Sequence, residues 1–133
     1  MRIDNYQIGQ TASLKKAFSD EEVEAFSELT LDKNPIHLDE EYAMQSRFGK
    51  RIVHGFLVGS LFSAVFGTKL PGEGAIYLHQ EMDFRKPVYH GDEITATVTI
   101  TEINKEKSVL YFDTKCENEH GDIVVEGKAI LKV

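Results

Sequence analysis

The run from Phe56 to Phe66, Phe-Leu-Val-Gly-Ser-Leu-Phe-Ser-Ala-Val-Phe, is apolar nearly all round when set on a helix. A helix without a polar face has to be covered by the rest of the chain, so this segment predicts a central, buried helix. Gly67, Pro71 and Gly72 break it. The pattern then changes period. Ile76, Leu78, Met82 and Phe84 alternate with Tyr77, His79, Glu81 and Asp83, and Ile94, Ala96, Val98 and Ile100 alternate with Thr95, Thr97, Thr99 and Thr101. Alternation of that kind belongs to strands. Leu110, Phe112 and Cys116 mark a third run, and Ile123 to Val133 a fourth. Asn104-Lys105-Glu106-Lys107 and Glu119-His120-Gly121-Asp122 suit hairpin turns, and consecutive hairpins give an antiparallel sheet. The expected fold is α+β, with an antiparallel sheet wrapped around one long buried helix. A domain this small also has sheet edges to protect, and edge-to-edge dimerisation is one way to do so.

The first part of the chain is more mixed. Thr11 to Phe18 is a short strand candidate. Ser19-Asp20-Glu21-Glu22 is a capping-box pattern that opens a helix to about Leu31, with Val23, Phe26 and Leu29 expected on its buried face. Asp39 can cap a second helix from Glu40 to about Arg47. Between the two lies Asp32-Lys33-Asn34-Pro35-Ile36-His37. On a continuous helix, side chains five positions apart stand roughly 140° apart in azimuth. Pro35 prevents that: it lacks an N–H, fixes its own φ and pushes Asn34 into an extended conformation. The helix should end near Asp32 and the chain turn, bringing a carboxylate and an imidazole to one point. Such a pair can hold a water molecule and move its protons.

Composition narrows the partners. The chain has 133 residues, read as a single domain over 1–133, and a formal charge of −7. That charge argues against nucleic acid, which requires clustered cations. A small polyanion can still be held locally, by Arg47, Lys50 and Arg51 or by Arg85 and Lys86. No apolar run approaches the ~20 residues of a membrane span, and Met1 to Tyr6 has no signal-peptide core. No membrane association is expected. The single cysteine, Cys116, excludes an intrachain disulfide framework and reads as a packed, inert thiol. A cytoplasmic location is expected. No metal-ligand spacing of the His-Glu-x-x-His or paired Cys/His kind occurs. Ser60 and Ser63 sit inside the apolar helix without a nucleophile elbow.

Taken together, Asp32-x-Asn34-Pro35-x-His37, Val53-His54-Gly55 before the helix that carries Ser63, and Phe84-x-x-Pro87-Val88-x-x-Gly91-Asp92 resemble the MaoC-like hotdog-fold hydratases. The short, single-domain (R)-specific enoyl-CoA hydratases are the nearest type, and the likeness runs from about Gly9 to Val133. The resemblance implies a cytoplasmic homodimer, its sheets joined edge to edge. It implies a lyase of fatty acid metabolism that adds water reversibly and syn to a trans-2-enoyl-CoA, giving an (R)-3-hydroxyacyl-CoA. It implies no cofactor and no metal, CoA being part of the substrate. By position, Asp32 and His37 match the catalytic pair, and Ser63 a family serine on the central helix close to that pair. Gly55 matches the glycine whose N–H points at the thioester carbonyl.

The chemistry fits those residue types. Asp32, ionised near neutral pH, suits the base that takes a proton from water, and His37 can hold the same water and exchange a proton with C2. Gly55 precedes or begins the buried helix, where backbone N–H groups lack partners and the helix end is positive, so its N–H can serve as an oxyanion hole. Asn34 favours the turn before proline and braces the loop. Ser63 either bonds back to its own helix or orients Asp32. Phe62 and Phe66 are core residues or limits on acyl length, a bulky Phe66 pointing to short chains. Arg47, Lys50, Arg51, Arg85 and Lys86 are candidates for the CoA phosphates, some of them from a partner subunit. His54 is expected to shape the loop entering the helix, and His79, His90 and His120 to sit on strand faces or turns. The alternatives are a related hotdog enzyme, either an acyl-carrier-protein dehydratase or a thioesterase, and a non-catalytic acyl-CoA-binding domain.

Overall fold

The computed structural model describes residues 2–133. After a 3-10 turn at Ile3–Asn5 the elements are β1 (Thr11–Ala17), α1 (Asp20–Thr30), α2 (Pro35–Leu38), α3 (Glu40–Met44), α4 (Gly55–Thr68), β2 (Ile76–Phe84), β3 (Glu93–Asn104), β4 (Val109–Glu117) and β5 (Ile123–Lys132). The five strands form one antiparallel sheet in the order β1-β3-β4-β5-β2. The expected hairpins join β3 to β4 and β4 to β5. β2 pairs with β5 rather than with its successor, so the chain crosses the sheet between β2 and β3.

The alternation in β3 places Ile94, Ala96, Val98 and Ile100 on one face, each at most 1 % exposed. That face packs on α4, whose Val58, Leu61, Phe62, Val65 and Phe66 are buried against it. Burial of each large side chain here contributes roughly 1.5–3 kcal/mol. The helix is not covered all round, however. Phe56 is 70 % exposed, and Ser60, Ser63 and Gly67 are exposed on the same stripe, at helical spacing i, i+4, i+7 and i+11. One sheet covers one side only. β2, at the sheet edge, is open too: Ile76, Leu78 and Phe84 are 56 %, 52 % and 53 % exposed, so its alternation does not bury a face within the chain. Among the described residues no helix is long and apolar enough to cross a membrane.

The capping box of α1 forms as expected: Glu22 N–H donates to Ser19 Oγ (3.2 Å) and Ser19 N–H to Glu22 Oε1 (3.0 Å). Leu31 ends the helix in the left-handed region (φ 70°). Its buried stripe is Val23 and Ser27 with Phe26 half-buried, whereas Leu29, expected to be inside, is 82 % exposed. The helical period explains the difference, because position 29 lies about 140° off the line of Val23 and Ser27. The expected turn after Asp32 is the single helical turn α2, with Pro35 at its start and Asn34 as its cap. α3 is capped by Asp39, whose Oδ1 accepts from Tyr42 N–H at 3.1 Å, and stops at Met44, short of the expected Arg47.

Candidate active site

Asp32 follows directly on α1. Its carboxylate accepts from Asn34 N–H (3.3 Å), its own N–H reaches Thr30 Oγ1 (3.3 Å), and its side chain is exposed to the cavity beside it. His37 lies on α2 and is 8 % exposed. Asn34 braces the turn as expected, taking Ile36 N–H on its side chain (3.3 Å) and His37 N–H on its carbonyl (3.1 Å). The Nδ1 atom of His37 is 2.8 Å from the carbonyl oxygen of Ile52. A carbonyl only accepts, so Nδ1 carries a proton and Nε2 is the atom left for chemistry. Ile52 is itself anchored, its N–H to Ile36 O (3.2 Å) and the next N–H, of Val53, to Val88 O (2.7 Å). Ligand atoms of Asp32, His37 and His54 all lie within 4.8 Å of one another. The proline turn has brought together the two groups that a straight helix would have parted.

The pair opens on a cavity of about 390 Å³. Gly55, the first residue of α4, lines it. Leu57 and Val58 N–H both turn to His54 O (3.0 and 3.1 Å), and among the described residues neither Gly55 nor Phe56 N–H has an acceptor. The positive end of a 14-residue helix therefore faces the carboxylate–imidazole pair with free donors. A Cβ on Gly55 would come within 2.6 Å of the Phe84 ring, which also lines the cavity. Phe84 is half-exposed and can swing away, so Gly55→Ala is expected to keep its thermal midpoint within a few degrees. The displaced ring crowds the cavity, and kcat/KM should fall roughly ten- to a hundredfold. Melting curves beside steady-state kinetics check both halves of that outcome.

His54 is the residue whose place the sequence disguised. It is 2 % exposed, and its ring stacks on His37 with centroids 3.8 Å apart and planes 25° from parallel. Its Nε2 lies 3.0 Å from Ser27 Oγ and 3.1 Å from Asp32 O. Burial pushes its pKa below the ordinary 6.5; the hydrogen bond to Asp32 opposes this and the neighbouring His37 adds to it. The consequence for stability has a definite sign. Below about pH 6.5 the unfolded chain takes up a proton that the folded chain refuses, so stability falls as pH drops from there towards the folded value. Urea midpoints should fall between pH 7 and pH 5, and His54→Gln should flatten that slope. Asp20, whose carboxyl is held below its usual value chiefly by a hydrogen bond from His90 and then by Arg51, acts in a lower window, below its ordinary 3.8.

The Asp32, His37 and His54 group has metal-ligand residue types, but its geometry does not fit an ion. Two imidazoles ligate in their ring planes, and planes this nearly parallel, 3.8 Å apart at the centroids, do not meet within the ~2 Å of a metal bond. His54 Nε2 is in any case engaged.

The other expected site residues divide. Arg47, Arg85 and Lys86 line the cavity. Arg85 faces Asp83 (3.3 Å) and Glu126 (3.7 Å), and Lys86 faces Asp122 (3.4 Å), whereas Arg47 lies over the Phe48 ring (5.0 Å). Lys50 and Arg51 lie in a separate depression with Tyr89 and His90, Arg51 bound to Asp20 (3.3 Å) and Glu40 (3.4 Å) and Lys50 over Tyr89 (4.4 Å). Phe62 and Phe66 belong to the core and do not line the cavity; the Phe66 ring meets Phe112 and Tyr77 with centroids 4.7 and 5.2 Å apart. Ser63 lies away from the pair within this chain. It stands eight residues into α4 from Gly55, about 12 Å along the axis, and lines an open groove with Phe56, Tyr77 and His79 rather than meeting Asp32 of its own chain. Cys116 is buried and its thiol is pushed up to about 12 by that burial, in keeping with a packed, inert role.

Comparison with known proteins gives a consistent picture. The family model described as "MaoC like domain" matches residues 5–120. The (R)-specific enoyl-CoA hydratase of Rhodospirillum rubrum is 46 % identical over 130 residues, covering 98 % of this chain and 90 % of the relative. The (R)-specific enoyl-CoA hydratase of Aeromonas caviae is 41 % identical over 133 residues, covering 100 % of this chain and 99 % of the relative. The solved structure of the (R)-hydratase from A. caviae involved in PHA biosynthesis superposes with a TM-score of 0.94 at 42 % identity, covering 96 % of this chain and 97 % of that one. The fold is accordingly the α+β hotdog arrangement expected from the sequence.

Proposed function

This chain belongs to the MaoC-like domain family, and from that premise we propose that it is an (R)-specific enoyl-CoA hydratase. It adds water reversibly and syn to a trans-2-enoyl-CoA, giving an (R)-3-hydroxyacyl-CoA. The observation that carries this reading is one cavity holding Asp32, His37 and a Gly55 N–H that has no acceptor among the described residues.

In this mechanism the thioester oxygen accepts from Gly55 N–H, so the negative charge that builds on it during attack meets a donor and the positive end of α4. Water lies between Asp32 and His37. Asp32 takes one of its protons as the oxygen bonds to C3, and protonated His37 gives the Nε2 proton to C2. Both groups act from one side, which makes the addition syn. The proton then passes from Asp32 to His37, whose ligand atoms lie within 4.8 Å, and the pair is restored. Neither a cofactor nor a metal takes part.

Arg47, free of any carboxylate partner among the described residues, is the first choice for a CoA phosphate at the cavity rim, followed by Arg85 and Lys86. Lys50 and Arg51 would bind the far end of CoA only if it reached their depression. Phe62 and Phe66 fill the core instead of opening into the cavity, which suits a short acyl chain. The enzyme works as a homodimer in the cytoplasm. A second copy joined along β2 covers the open stripe of α4 and the exposed Ile76, Tyr77 and Leu78, placing Ser63 at the junction.

The test is to mix purified protein with crotonyl-CoA, follow the loss of enoyl-thioester absorbance, and determine the chirality of the product. (R)-3-hydroxybutyryl-CoA supports the proposal. Release of free CoA would mean a thioesterase, turnover only of carrier-protein thioesters a dehydratase, and binding without turnover a non-catalytic domain.

A further inference from the structure

We propose that His54 is a positioning residue that fixes both members of the catalytic pair at once, as a neutral imidazole carrying its proton on Nε2. The inference rests on the hydratase reading of Asp32 and His37. The Asp32 carbonyl can only accept, so the nitrogen 3.1 Å away must donate. Ser27 Oγ, 3.0 Å from the same nitrogen, holds it from the α1 side. The other ring nitrogen, Nδ1, is buried and has no partner among the described residues. A second proton there would be a buried donor with no acceptor, so the ring is confined to one tautomer and one charge.

The rings around it set its position. Phe26 meets one side of His54 edge-on (centroids 4.8 Å apart, 64°), and His37 covers it at 3.8 Å and 25°. His54 therefore touches the backbone of one catalytic residue and the ring of the other. Its hydrogen bond fixes where α1 releases Asp32, and its flat face sets the plane in which His37 Nε2 meets the water. Staying neutral, it also offers an electron-rich face to the imidazolium from which His37 starts each turnover and to which it returns. A second cation in that place would oppose it. Gly55 follows immediately in the chain, so the same anchored residue leads into the oxyanion donor.

Two variants separate the donor from the ring. His54→Phe keeps the stack and loses the Nε2 donor, while His54→Gln loses the stack and keeps an amide donor at that atom. With crotonyl-CoA, His54→Phe should lower kcat about ten- to a hundredfold with KM within about threefold, and His54→Gln should recover at least fivefold of that loss. A residue that merely supports the fold would change the melting temperature but not this split. A folded His54→Phe with kcat within twofold of the native enzyme overturns the inference. Histidine-labelled 15N NMR on the native protein reads the other half at pH 7: the neutral Nε2–H form supports it, and a protonated or Nδ1–H ring overturns it even if a variant fails to fold. Absence of turnover in the native protein would count against the hydratase reading, and the NMR result still decides the state of His54.

Discussion

Asp32→Asn and His37→Asn are each expected to lower kcat for enoyl-CoA hydration by about a thousandfold, within the hundred- to ten-thousandfold range for a lost general acid or base. Both replacements keep their local scaffolding. Asn at position 32 still accepts from Asn34 N–H, and Asn at position 37 can still donate to the Ile52 carbonyl. Neither can exchange a proton with water or with C2. Asp32 is exposed, so its replacement should barely move the melting temperature. The double variant should be little worse than either single one, because the pair works on one water and each member is idle without the other. Steady-state kinetics with crotonyl-CoA check this. Either single variant keeping more than a tenth of native kcat would show the proton path to run elsewhere.

The largest expected effect on stability comes from a residue far from the chemistry. Gly127 on β5 pairs with Met82 on β2 and with Thr114 on β4. A Cβ at Gly127 would run into the backbone carbonyl of Glu81. At Gly55 the obstacle is a side chain that can rotate, whereas here it is the strand itself, and β2 would have to part from β5. Gly127→Ala should therefore cost roughly 3 kcal/mol or more and lower the melting temperature by about 10 °C. A thermal melt showing a loss of less than a few degrees would mean that the edge strand yields more easily than this packing suggests.

What could be read in the sequence was what local pattern encodes. The alternation in β3 and the capping box at Ser19 fold as they read, and the apolar run of α4 forms the expected helix but keeps one stripe uncovered. Pro35 sufficed to predict the convergence of Asp32 and His37, because a proline acts on its own turn. The pairing of β2 with β5 was not legible, since no residue of β2 records which distant strand will lie beside it. The faces of α4 were hidden for a related reason. An apolar helix has no polar stripe to mark its uncovered side, so Ser63, Phe62 and Phe66 could not be placed until the sheet was in view. Arg51 read as a ligand for phosphates because its partners, Asp20 and Glu40, lie elsewhere in the sequence. His54 had no signal beyond its position before Gly55; a lone histidine looks the same in a loop as it does stacked beneath another ring.

The strand order carries a consequence for how the molecule comes to exist. Among the described residues β2 has a single neighbour in the sheet, and that neighbour is β5, the last strand in chain order. A chain emerging from the ribosome therefore carries α4 and β2 for some forty further residues before the segment that pairs with β2 has been made. Val125, on that same strand, is part of the cavity wall. Pairings this far apart in sequence form late, after the costly closure of a long loop. Until then the nascent chain exposes an apolar helix and an unpaired strand edge, the kind of surface on which chaperones act. Asp32, His37 and Gly55 are synthesised early, but the pocket around them closes only with the last strand.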